Sequence, residues 1–175
     1  MIDNKEHYRK LSSEIWTDTN INKAQYGINK NLMKVLNSKN VAIMVYIAMK
    51  DEVDVIKDID TSSQLQIPYM KNNQICRSEF SGNLKYDELG FLVPKNPRIS
   101  DVIPEVIIVP GRIFDRTGNR IGRGGGHYDK FLSEHIDSLF VGISLDKALN
   151  SLIPYETHDI KMDIIITEKE ILYIN

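Results

Sequence analysis

The chain of 175 residues contains a single cysteine, Cys76. An internal disulfide needs two, so no covalent staple holds this fold, and no Cys-based metal site has its ligands. A cytoplasmic setting is the expectation. Excess charge of either sign is also missing: Lys+Arg number 22 against Asp+Glu 24, a formal net charge of −2. Such a balance gives no global basic field, which excludes wholesale nucleic-acid binding and leaves room only for a local basic pocket. No apolar run approaches the ~20 residues that span a bilayer, so no membrane partner is expected. The segment Met1–Glu6 is polar and shows no signal-peptide h-region. Repeats, low-complexity tracts and linker-like stretches are absent, so residues 1–175 read as one domain. Hydrophobic residues make up 42%, enough for a real core, which excludes disorder.

Glycine is scarce as well, and its distribution is uneven. Of ten glycines, Gly122, Gly124, Gly125 and Gly126 crowd around Arg123. A strand-like run, Val106–Val109, precedes this cluster and ends at Pro110-Gly111. A helix-like run, Tyr128–His135, follows it. Glycines expose backbone N–H groups and tolerate positive φ, so the chain can wrap closely around a ligand. A glycine-rich turn that opens a helix also aims the positive end of the helix dipole at one spot. Arg120 and Arg123 add charge and a planar donor fork suited to phosphate or carboxylate. The pattern reads as an anion site for a phosphate; a flexible loop with two solvated arginines is the alternative.

Asp3 or Asn4 is placed to cap a first helix running to about Trp16, with Tyr8, Leu11 and Ile15 on its apolar stripe. Lys5 and Arg9 lie one turn apart on one face, either as a solvated basic face or as a clamp on a polyphosphate. A second helix starts at Asn20 and buries Ile21, Ala24, Ile28, Leu32, Val35 and Leu36. Val41–Ile47 is apolar and β-branched, a buried strand that leads into Ala48–Asp54. Glu52 then stands either at the mouth of a core strand or at the start of a short helix, Val53–Ile59. Gln64–Met70 and Gln74–Phe80 read as strands around a turn at Lys71-Asn72-Asn73, and Ser100–Pro104 as a loop. Leu139–Ser144 and Ile164–Thr167 are further strands, Ala148–Ile153 a weak helix ending at Pro154, and Glu170–Ile174 an edge strand. Strands alternating with helical stretches predict an α/β fold: one domain with a mostly parallel sheet covered by helices.

The stretch Val109–Asp129 reads V-P-G, then F-D, then G-N-R, then G-R-G-x-G, then Y-D. It resembles the signature of the 5-formyltetrahydrofolate cyclo-ligase family. Three other segments are similar to family patterns. Lys5–Arg9 matches K-x-x-L-R with Tyr8 in place of Leu. Ala48–Asp54 resembles S-M-x-x-E-V/I-x-T, and His158–Asp163 resembles H-D-x-x-x-D. Tyr86–Pro97 is a looser counterpart of F-G-I-x-E-P. The resemblance implies an α/β fold related to the ribose-phosphate isomerase and CoA-transferase group. It also implies ATP-dependent cyclisation of 5-formyltetrahydrofolate to 5,10-methenyltetrahydrofolate through a phosphorylated formyl group, by a monomer.

The same resemblance implies the site. Lys5, Arg9, Arg120, Gly122, Arg123, Gly124, Gly125, Gly126, His127 and Tyr128 would meet ATP. Ile47, Met49, Glu52, Phe91, Arg123, His127 and Tyr128 would meet the folate. Arg123 and the N–H groups of Gly124–Gly126 suit the transferring phosphoryl group, and Asp129 and Asp159 offer oxygens to Mg²⁺. A carboxylate at Glu52 matches the adjacent N–H donors of a pterin edge. Two departures stand out. His127 replaces the first of two usual tyrosines, keeping an aromatic ring that can hydrogen-bond. Tyr69 follows Pro68 where the family often has Arg or Lys. Two other readings use the same residues: a sugar-phosphate isomerase or CoA transferase without need of ATP, and a folate-binding module without turnover.

Overall fold

Two helices begin the described chain, and side-chain caps start both. The computed structural model describes residues 4–36, 41–59 and 64–174. Helix α1, Lys5–Asp18, is capped by Asn4, whose side chain accepts the His7 N–H at 3.0 Å; Asp3, the other capping candidate, lies outside the described residues. Helix α2, Ile21–Leu36, is entered at Asn20, which accepts the Lys23 N–H at 3.2 Å. The strands follow as β1 (Ala42–Val45), β2 (Gln64–Lys71), β3 (Gln74–Glu79), β4 (Leu84–Tyr86), β5 (Leu92–Pro94), β6 (Val106–Pro110), β7 (Ile113–Asp115) and β8 (Arg120–Ile121). After helix α3 (His127–Ser133) come β9 (Leu139–Ile143), β10 (Leu149–Asn150), β11 (Ile164–Ile166) and β12 (Ile171–Tyr173).

The main sheet has seven strands in the order β12-β11-β9-β6-β1-β2-β3. Its five inner strands run parallel, and β3 and β12 close the two edges antiparallel. Strands covered on both faces are apolar at every position, which is how β1 and β6 read. Alternation then sends Val45 and Ile108 to one side and Met44, Ile107 and Val109 to the other. The first side packs against Trp16 of α1 and Ala24, Ile28, Leu32 and Leu36 of α2. The second packs against Phe131 and Leu132 of α3, with Phe114 and Met162. This is the expected α/β class, a mostly parallel sheet with helices on both faces. Among the described residues no helix is long and apolar enough to cross a membrane.

Several elements differ from the sequence reading. Val53–Ile59 holds only a 3₁₀ turn at Ile56–Asp58, because the Asp54 side chain captures the Ile56 N–H at 3.2 Å and offers the backbone an alternative to a helix. Ala148–Ile153 is not helical: a 3₁₀ turn at Asp146–Ala148 gives way to β10, which pairs parallel with β7. The hairpin of β7 and β8, inside the signature stretch, has no counterpart among the strands expected from the sequence. Helix α3 begins at His127 and ends at Ser133. At the β2–β3 turn Asn72 and Asn73 both take positive φ, as a two-residue hairpin requires.

Candidate functional site

The site is anchored by a turn. Between β7 and β8 the buried Asp115 gathers five hydrogen bonds on its carboxylate. Oδ1 accepts from the Thr117 N–H and hydroxyl at 2.8 Å each and from the Asn119 N–H at 3.0 Å. Oδ2 accepts from Asn119 Nδ2 at 2.9 Å and from the Ile153 N–H at 3.1 Å. Burial pushes this carboxyl up, but the bonds from Asn119 and Thr117 outweigh it and hold the group below the usual carboxylate range. Gly118 turns the chain at φ +93°, and a Cβ there would meet the Met162 carbonyl at 2.8 Å, so only glycine fits. The turn thus fixes β8 against two distant segments, and β8 delivers the glycine-rich loop.

Within the loop Gly124 and Gly126 adopt positive φ. The loop is met from outside by α1: Arg9 Nε donates to the Gly122 carbonyl at 3.3 Å, and a Cβ on Gly124 would lie 3.4 Å from Arg9 Cζ. Gly126 caps α3 at its N-terminus. Arg120 sits beneath the loop rather than in it. Its buried guanidinium pairs with Asp129 at 2.9 Å and stands 6.0 Å from the Tyr128 ring, while its Nε is without a partner among the described residues. Asp129 uses Oδ1 for Arg120 and for the Ile160 N–H at 3.2 Å. Half-buried His127 packs its ring edge toward Gly125 and borders Asn73–Ile75 at the β2–β3 turn.

One turn below Arg9, Lys5 reaches the segment Glu156–Asp159. Its Nζ donates to Asp159 at 2.6 and 2.8 Å and lies 3.4 Å from Glu156. Burial raises the Asp159 carboxyl, yet the bond from Lys5 and the Glu156 N–H hold it below its ordinary value. Glu156, His158 and Asp159 bring ligand atoms within 4.8 Å of one another. Beside them a cavity of about 410 Å³ is lined by Tyr8, Leu152, Ile153, Pro154 and Tyr155.

The third part of the site follows β1. Glu52 accepts the Met49 N–H on Oε2 at 3.0 Å and Arg123 Nη2 on Oε1 at 3.3 Å. The same Nη2 donates to Asp51 at 2.7 Å, and Asp51 also takes Arg112 at 2.7 Å. Burial, and next the charge of Glu52, push the hydroxyls of both Tyr46 and Tyr128 up, so both remain donors at neutral pH. Tyr46 donates to the Val53 carbonyl at 2.8 Å. Ile47 and Met49 are half-buried beside this group.

The structure therefore brings Lys5 onto Asp159, Arg9 onto the glycine-rich loop at Gly122, and Arg123 of that loop onto Asp51 and Glu52 in the segment after β1. It does not bring Phe91 into either core cluster: Phe91 is 42% exposed on the β4–β5 hairpin, its N–H bonded to Asp87 at 2.8 Å. Sequence reasoning missed Asp51, Arg112 and Tyr46, for which no local signal exists. Asp115 and Asn119 do carry a local signal, since Asp-Arg-Thr-Gly-Asn is a legible side-chain-capped turn.

A glycine-rich loop and paired charged side chains beside a mostly parallel, helix-covered sheet mark an α/β enzyme. Two solved structures share this fold. That of Aquifex aeolicus 5,10-methenyltetrahydrofolate synthetase superposes with a TM-score of 0.84 at 23% identity, covering 98% of this chain and 93% of that one. That of the Mycoplasma pneumoniae 5,10-methenyltetrahydrofolate synthetase gives 0.74 at 18% identity, covering 94% and 99%. Residues 5–168 match the model of the 5-formyltetrahydrofolate cyclo-ligase family, and the chain belongs to that family of ligases. The 5-formyltetrahydrofolate cyclo-ligase of Mus musculus is 29% identical over 195 residues, spanning 94% of this chain and 89% of the relative. The protein of the same name from Saccharomyces cerevisiae is 43% identical over a shorter 74 residues, 38% of this chain and 35% of its own.

Proposed function

We propose that this protein converts 5-formyltetrahydrofolate to 5,10-methenyltetrahydrofolate at the expense of ATP, releasing ADP and phosphate. One observation carries the reading. Two cations of α1 are drawn across 154 and 113 positions of sequence, Lys5 onto Asp159 and Arg9 onto the Gly122 carbonyl. A lone solvated basic face would not be held there; a polyphosphate site would. The apolar cavity at Tyr8 and Tyr155 lies beside Lys5 and suits a purine, with the phosphates running toward the glycine-rich loop.

In this reading the formyl oxygen attacks the γ-phosphorus and takes the phosphoryl group, and ADP leaves. N10 then attacks the activated formyl carbon and loses its proton. The C–O bond breaks, and phosphate departs with the oxygen. Phosphoryl transfer needs alignment and charge neutralisation more than covalent help. Arg123 and the N–H groups of Gly124–Gly126 neutralise the transferring group. Glu52 holds the pterin edge, with Ile47 and Met49 as apolar wall. Tyr128, kept protonated, donates at the junction of the two ligands.

Mg²⁺ fits the donors at hand. Glu156 and Asp159 are hard oxygen ligands close to one another, and Asp129 is oriented by Arg120. These residues would hold the ion against the nucleotide phosphates, where it supplies charge neutralisation.

Two variants test the two halves of the site. Lys5→Ala is expected to raise the ATP KM by about 10- to 100-fold, the range for losing a charged hydrogen bond, with the folate KM nearly unchanged. Equal rises in both constants would give α1 a packing role instead. Glu52→Gln sets an NH₂ donor against a donor of the pterin. Calorimetry should show folate affinity falling by about 2–3 kcal/mol with ATP affinity retained. Retained folate affinity would place the pterin elsewhere.

A further inference from the structure

We infer that Asp51 is a positioning residue that draws Arg123 away from full pairing with Glu52, so that the Glu52 carboxylate keeps only a long bond to it that a ligand can displace. The inference rests on the folate reading of Glu52 given above. A single Arg123 nitrogen faces two carboxylates, Asp51 at 2.7 Å and Glu52 at 3.3 Å. Glu52 is the more buried of the two, its side chain 11% exposed against 44% for Asp51. An ion pair there is less screened, so Arg123 left to itself would close onto Glu52.

Asp51 holds the arginine instead because it is itself held. Its second oxygen takes Arg112 Nη1 at 2.7 Å, and the Asp51 carbonyl lies 3.5 Å from the same nitrogen. Arg112 is nearly buried and fixed on every side. Its guanidinium lies 5.2 Å from the Trp16 ring centre. Its carbonyl accepts Trp16 Nε1 at 2.7 Å, and its N–H donates to the Ile121 carbonyl at 2.8 Å. A rigid line therefore runs from Trp16 through Arg112 and Asp51 to Arg123. Each oxygen of Asp51 serves one arginine, and Arg123 is shared, with its short bond to Asp51 at 2.7 Å and its long one to Glu52 at 3.3 Å. In Asp51→Asn the charge is gone and one arginine meets an NH₂ donor. Arg123 then pairs fully with Glu52, and a pterin has to break that pair to bind.

The test is folate affinity by calorimetry in wild type, Asp51→Asn, Arg123→Gln and the double variant, using 5-formyltetrahydrofolate. Asp51→Asn should weaken binding about tenfold, the size of one close charge coupling, and the same change in the Arg123→Gln background should alter it by less than about twofold. Asp51→Glu, which keeps the charge, should restore most of the affinity. Equal weakening in both backgrounds would show that Asp51 acts through general structure, and an unchanged affinity in Asp51→Asn would also overturn the inference. Should Asp51→Asn fail to fold, Asp51→Ala/Arg112→Met removes both halves of the pair, leaves no uncompensated charge at the buried Arg112 position, and is expected to give the same dependence on Arg123. A wild type that binds no folate would defeat the functional reading itself, and this inference with it. A wild type that binds, beside an unaffected Asp51→Asn, would defeat only the inference.

Discussion

Arg123→Ala is expected to lower turnover by about 100- to 1,000-fold, the loss that follows removal of one preorganised donor from a developing anion. The melting temperature should scarcely move. Arg123 and its nearer partner Asp51 are each 44% exposed, so their ion pair adds little to the folding free energy. The separation matters because both a catalytic and a structural arginine would reduce activity. Initial rates at saturating substrates, alongside thermal unfolding, distinguish them. Turnover within about threefold of wild type at an unchanged melting temperature would remove Arg123 from the chemistry.

Asp115→Ala should act in the opposite way, through the fold. Five donors lose their acceptor at once, two of them in the Asn119 backbone and side chain and one from Ile153 across the site. Leaving several buried donors unpaired costs about 3–5 kcal/mol, which lowers the melting temperature of a chain this size by about 10 °C. Acid should reveal the same residue in the wild type. Its carboxyl is held below its unfolded value, so its contribution to stability is complete above that value and drains away as pH falls through the folded one. Wild type should therefore lose stability below about pH 4 more steeply than Asp115→Asn does. Parallel acid profiles for the two proteins would remove Asp115 from the role of turn anchor.

The elements that the sequence made legible are those whose causes are local. Caps at Asn4 and Asn20, the 3.6-residue stripe of α2, and the unbroken apolar runs of β1 and β6 each declare themselves within a few residues. The glycine-rich loop does so too, since its geometry is a property of its own residue types. What escaped was decided at a distance. Leu149–Asn150 is a strand because β7 offers it a ladder, and nothing in Ala148–Ile153 announces that partner. Val53–Ile59 fails as a helix because the Asp54 side chain takes a backbone donor. The 42% exposure of Phe91 on the β4–β5 hairpin is likewise not announced by its residue type. Asp51 and Arg112 are unremarkable charges in the sequence. Only the fold sets them in line with Trp16 and Arg123.

Nucleotide-driven ring closure is the central feature of the proposed reaction. The direct measurement is the rise in methenyl-folate absorbance when the protein is mixed with 5-formyltetrahydrofolate, with and without Mg-ATP, while ADP is followed in the same samples. The prediction is a rise only when Mg-ATP is present, with one ADP formed for each methenyl-folate. A rise of equal rate without nucleotide, or none with it, would contradict the account.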